Sequence, residues 1–77
     1  MVKFEVRTYY SRGFGYSSIL DKECSVPVRE ITEEQEAAFK KFLEAMGCRR
    51  HETETQVFFE MVEDSNRSTE YIFYKEA

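Results

Sequence analysis

Cys48 and His51 form a Cys-x-x-His pair near the middle of the chain, a spacing that suits two zinc ligands. A closed structural site takes four ligands, so Cys24 and a carboxylate would have to be recruited from elsewhere. Closed zinc motifs normally show two close-spaced pairs, and this chain has one. The other chemistry open to these residues is nucleophilic, with Cys24 or Cys48 as thiolate, His51 as base and a third group orienting it in a cleft. His51 is the single histidine, and a thin sheet offers little concavity. The paired acids Glu33-Glu34 and Glu63-Asp64 read as helix-start and turn chemistry rather than as general acid and base. The expectation is a non-enzymatic protein with no catalytic residues, metal or other cofactor, in which Cys48 is a half-buried thiol and His51 an exposed imidazole.

Arg12-Gly13-Phe14-Gly15-Tyr16 is a basic-Gly-aromatic-Gly-aromatic run. It resembles the start of the ribonucleoprotein octamer of RNA-recognition motifs and a similar run in cold-shock domains. The resemblance implies that Phe14 and Tyr16 stack on bases and that Arg12 contacts phosphate. It covers five residues, after which Ser17 stands where an aliphatic residue belongs and Ile19 where an aromatic does. The formal charge of −4 opposes the counterion release that drives most nucleic-acid binding. Nucleic-acid binding through this hairpin is therefore the second reading, behind a protein partner.

Seventy-seven residues suffice for one domain, spanning 1–77, with a single thin core. A hydrophobic content of 42% with seven Phe and five Tyr is too rich for a disordered chain. The longest apolar runs, such as Tyr71-Ile72-Phe73-Tyr74, are strand-sized and far short of a signal sequence or a membrane span. Two cysteines without a secretory context read as reduced thiols, so the expected location is the cytoplasm. Charge is uneven. Residues 1–16 carry Lys3, Arg7 and Arg12 against Glu5, a net of +2, whereas residues 51–77 carry a net of −5.

Five elements follow from periodicity. Val2, Phe4, Val6, Thr8 and Tyr10 alternate with polar neighbours and define one face of a first strand. Residues 11–18, with Gly13 and Gly15, suit a hairpin. Leu20, Cys24, Val26 and Val28 share parity in a second strand that Pro27 assigns to a sheet edge. Thr32 and Gln35 make a capping box, Phe39, Phe42, Leu43 and Met46 form an apolar stripe, and Gly47 is a left-handed stop, so the spacing predicts a helix over 33–46. Thr53 to Val62 reads as a third strand and Thr69 to Lys75 as a fourth, whose inward parity is open because Tyr71 and Phe73 oppose Ile72 and Tyr74. The fold class is α+β, a two-layer β-β-α-β-β domain with a four-stranded, mostly antiparallel sheet and one helix across it. Pairing strand one with strand four in parallel gives the order 2-1-4-3, an arrangement similar to the β-grasp fold.

The core demand is met by Phe4, Val6, Tyr10, Leu20, Val26, Val28, Phe39, Phe42, Leu43, Met46, Val57 and Phe59. That leaves a surplus of aromatics, Tyr9, Phe14, Tyr16 and Phe58 among them, for an interaction surface or for a homodimer through the open sheet face. Arg7, Tyr9, Arg12, Phe14 and Tyr16 lie along the one net-positive hairpin and are residue types that dominate binding energy, so they are the candidate partner-binding site. Glu60, Glu63, Asp64 and Glu70 form the competing acidic surface. Small, acidic, free-standing domains of this kind resemble the inhibitors that phages direct at host proteins, which implies an inhibitor or adaptor.

Overall fold

The computed structural model describes residues 1–11, 18–64 and 66–76. Within them the order is β1 (Val2–Ser11), β2 (Ser18–Ile31), α1 (Glu33–Ala45), β3 (Arg49–Glu52), β4 (Gln56–Asp64) and β5 (Arg67–Tyr74). The strands make one five-stranded sheet in the order β2-β1-β5-β4-β3, and each neighbouring pair is antiparallel. The α+β class with one helix is as expected, but the four strands and the parallel central pair are not. The cause is β3, a four-residue strand directly after the helix, where a single strand from Thr53 was anticipated. Thr53 Oγ1 accepts from the Gln56 N–H at 3.1 Å and closes the turn between β3 and β4. That added reversal flips the direction of every strand after it, so β5 meets β1 antiparallel and the β-grasp-like closure is lost.

β2 departs from simple alternation. Val6 lies opposite Val26 but Thr8 opposite Asp21, so Lys22 to Ser25 bulge out of register, and a smaller shift falls between Phe4 and Val6. The bulge has its own hydrogen bonds. Asp21 Oδ1 accepts from the N–H groups of Glu23 at 3.1 Å and Cys24 at 3.2 Å, and Ser25 Oγ accepts from the Thr8 N–H at 3.0 Å. Hydrogen bonding to Cys24 is the main reason the Asp21 carboxyl lies below its ordinary range, with Arg67 adding to it. With parity broken, Leu20, Cys24 and Val28 do not share an inner face, and all three are exposed. Pro27 sits on an edge strand, where its missing N–H disturbs no ladder.

α1 has the expected ends. Thr32 Oγ1 accepts from the Gln35 N–H at 3.0 Å while the Gln35 side chain accepts from the Thr32 N–H at 2.9 Å. At the C-terminus Gly47 takes φ +79°, and the N–H groups of Gly47 and Cys48 reach back to the carbonyls of Glu44 and Leu43. Its rotation differs from the expected stripe. Leu43 is fully buried and Phe39 half-buried, but Phe42 is 59% and Met46 56% exposed. The side turned to the sheet is that of Glu36, Phe39, Lys40 and Leu43. On the flank away from Phe42 the Lys40 Nζ stands 5.3 Å from the centroid of Phe73 and pairs with Glu36 at 3.1 Å, its stem covering apolar surface there.

The core between helix and sheet comprises Val2, Phe4, Val6, Ile31, Leu43, Val57, Phe59 and Phe73, with Val26, Phe39, Cys48 and Tyr71 packed against it. The parity of β5 is thereby resolved: Tyr71 and Phe73 face the helix, while Ile72 and Tyr74 face the other side. Tyr10 is only half-buried. No helix among the described residues is long and apolar enough to cross a membrane.

Candidate functional site

Because α1 lies on one side of the sheet, no described element covers the other, and cross-strand pairing determines which side chains stand together there. Arg7 is opposite Glu70, Glu70 opposite Glu60, Tyr9 opposite both Leu20 and Ser68, and Glu5 opposite Ile72. Directly opposed residues share a face. Two sites that the sequence treats as rivals therefore merge in part: Arg7 and Tyr9 stand on the same surface as Glu60 and Glu70. Glu63 does not join them, since its carboxylate accepts from the buried Thr69 hydroxyl at 3.0 Å and approaches Arg67 Nε at 3.5 Å. Asp64 is spent on the β4–β5 turn, where it accepts from the Asn66 N–H at 2.7 Å. Arg12, Phe14 and Tyr16, with Gly13 and Gly15, lie outside the described residues.

The geometry around Arg7 is fixed by its neighbours. Its guanidinium meets the Glu5 carboxylate at 3.0 Å. Hydrogen bonding with Tyr9, and then with Glu5, raises the Arg7 guanidinium above its already high ordinary value. Glu5 is itself buried and also accepts from the Tyr74 hydroxyl. Burial first, and that hydrogen bond second, push the Tyr74 phenol up. Sequence alternation could place Glu5 on this face but could not reveal the Arg7 and Tyr74 partners that make its burial tolerable. Beside this group, a depression of about 450 Å³ is lined by Arg7, Tyr9, Leu20 and Pro27. A second, of about 250 Å³, lies between Tyr9, Ser18, Ser68, Glu60 and Glu70.

At the far edge His51 stacks on Phe58, with ring centroids 4.7 Å apart and planes 14° apart, and its Nε2 lies 3.3 Å from Glu60. The imidazole is half-buried rather than exposed. Cys48 packs against the core on the helix side, so the Cys-x-x-His pair is split between the two faces of the sheet, as an odd spacing into a strand requires. Burial raises the Cys48 thiol. Cys24 belongs to the opposite edge, in the β2 bulge, where its Sγ accepts from Arg67 at 2.9 Å while the same guanidinium nitrogen contacts Asp21 at 3.0 Å. Both cysteines are free. Among the described residues no group of three or more His, Cys, Asp or Glu is placed to hold a metal ion. Among the described residues His51 bonds to Glu60 and to neither thiol.

The helix side offers a third surface. Phe4, Arg29, Ile31, Gln35, Ala38, Phe39 and Phe42 line a groove of about 580 Å³ between α1 and the β1–β2 edge. It exists because the helix is rotated away from its apolar stripe, which periodicity could not foretell. Compared with protein-family models, with curated proteins and with solved structures, the chain has no match.

Proposed function

We propose that this protein is a non-enzymatic binding module that holds another protein against the uncovered face of its sheet, acting as an inhibitor or adaptor. The observation that carries the reading is the apposition of Arg7 and Tyr9 with Glu70 and Glu60 on one uncovered surface. Arg7 is paired with Glu5 at 3.0 Å before any partner arrives, so less rotamer freedom is lost on binding. Arg and Tyr are the residue types that most often dominate interface energy. Glu60 and Glu70 are directly opposed residues of like charge, an arrangement that a basic side chain from a partner would favour. The same two carboxylates disfavour a phosphate backbone, which is why a protein is preferred to nucleic acid. The separation of Cys24, Cys48 and His51 supports a binding role over a catalytic one.

Affinity capture from cells that produce the protein tests this, using the native chain beside Tyr9→Ala, Arg7→Glu and the double reversal Glu63→Lys/Asp64→Lys. A genuine partner is retained by the native chain and by the double reversal. It is weakened by Tyr9→Ala by about 1–2 kcal/mol and bound more slowly, in a salt-dependent way, by Arg7→Glu. Binding abolished by the double reversal but untouched by Tyr9→Ala would move the site to the acidic turn. Tight, salt-dependent binding of single-stranded oligonucleotides would replace the protein-binding reading with the nucleic-acid one.

A further inference from the structure

The outward side of α1 carries a pattern that has no role in the fold. Glu34, Ala38, Lys41, Phe42, Ala45 and Met46 are all exposed, and Phe42 stands at the lip of the groove whose floor is Phe4, Ile31 and Phe39. Exposed large apolar side chains beside an apolar groove are uncommon on a small chain, since they give up burial that the core could use. Glu34 and Lys41 have no ion-pair partner among the described residues, whereas Lys40 is paired with Glu36.

These features complement each other under one operation. In a two-fold contact the same patch meets itself, and each flank of an antiparallel helix pair meets the same flank of the other copy. Centring the pair on Ala38, whose small side chain lets the helices approach, brings Phe42 of one copy level with Glu34 and Gln35 of the second. There the ring lies over the groove between Gln35, Ala38 and Phe39, with the Arg29 guanidinium at the rim to stack on it. The same register sets Lys41 within one residue of Glu34 in the other copy, on the shared flank, and does so twice by symmetry. One placement thus satisfies an aromatic knob, its hole, and both unpaired charges.

We propose that α1 is the interface of a symmetric homodimer in which each Phe42 enters the groove of the other copy. A helix of 13 residues is about 20 Å long, so the interface is small and exchange is rapid. The proposal is independent of the binding role assigned to the uncovered face. It leaves that face free in both copies and so makes the assembly bivalent.

Sedimentation of the full chain from about 1 µM to about 1 mM brackets affinities of this class. The mass should rise from 9.2 kDa toward twice that value. Phe42→Glu should hold the monomer mass throughout, with thermal unfolding at monomeric dilution little changed because more than half of Phe42 is exposed in the monomer. Glu34→Lys and Lys41→Glu should each weaken self-association about tenfold, and the two together should restore it to within about threefold of the native chain, since the reversed pair has the same attraction. A chain monomeric at all concentrations, a dimer indifferent to Phe42→Glu, or a double reversal no better than its parts would each overturn the assignment. The charge-swap series stands alone if Phe42→Glu impairs folding.

Discussion

Phe73 and Phe42 have the same side chain and should respond oppositely to truncation. Phe73 is 1% exposed, at the meeting point of the Phe4 ring at 4.9 Å, Phe39 at 5.9 Å and Phe59 at 6.1 Å, with Lys40 Nζ over its face. Deleting a buried ring costs about 3–5 kcal/mol, and a chain of 77 residues has about 4–12 kcal/mol in all. Phe73→Ala should therefore remove between about a quarter and all of the stability. Phe73→Leu, which keeps part of the volume, should cost about 1–2 kcal/mol. With a urea dependence of about 1 kcal/mol/M for a small domain, that lowers the midpoint by about 1–2 M. Phe42→Ala should cost under about 1 kcal/mol, because more than half of the residue is already in water. The assay is urea unfolding followed by circular dichroism, at a dilution where sedimentation gives the monomer. Phe42→Ala costing as much as Phe73→Leu would refute the helix rotation and return Phe42 to the core.

Thr32→Ala removes one half of the capping box and should cost about 1 kcal/mol, read as a lower urea midpoint with the slope unchanged. Thr69→Val leaves the buried Thr8 hydroxyl without its 3.2 Å partner and takes the hydroxyl donor from Glu63; a loss of about 1–3 kcal/mol is expected, and neutrality would show that the hydroxyl pair is dispensable. Burial raises the phenols of Tyr71 and Tyr74 above 10.0, so the folded chain holds their protons longer than the unfolded chain does. Their contribution is complete below about pH 10 and is lost as pH rises through the folded values. Alkaline unfolding, detected with tyrosinate absorbance at about 295 nm, should thus move to higher pH in Tyr71→Phe. Raised by burial, the Cys48 thiol should alkylate more slowly than exposed Cys24, as peptide mapping after a short pulse of iodoacetamide can measure.

The candidate surface was legible only in part. Arg7 and Tyr9 were visible as odd-numbered members of an alternating strand, and their face followed from parity alone. That Glu60 and Glu70 share this face depends on β4 pairing with β5 and β5 with β1. No local signal encodes which strands become neighbours. The acidic surface broke up for the same reason: residues close in sequence at a turn and bulge, Glu63 and Asp64 among them, found partners in Thr69 and Asn66.

Features set by neighbours along the chain were determined by the sequence itself. The capping box of Thr32 and Gln35, the left-handed Gly47, the inward face of β1 and the edge position of Pro27 each rest on backbone sterics and hydrogen bonds spanning a few residues, so residue type suffices to specify them. Tertiary structure decided what depends on distant partners. β3 is a strand because β4 offers it an edge, and its extra reversal made the whole sheet antiparallel. β2 lost its parity where the Asp21 turn met Thr8. The helix put its Phe39, Lys40 and Leu43 side down on the sheet, with Lys40 Nζ over Phe73 of the last strand, and left Phe42 outward. Apolar periodicity states how much surface a helix can bury, whereas the shape and charge of the surface beneath it select which side goes down.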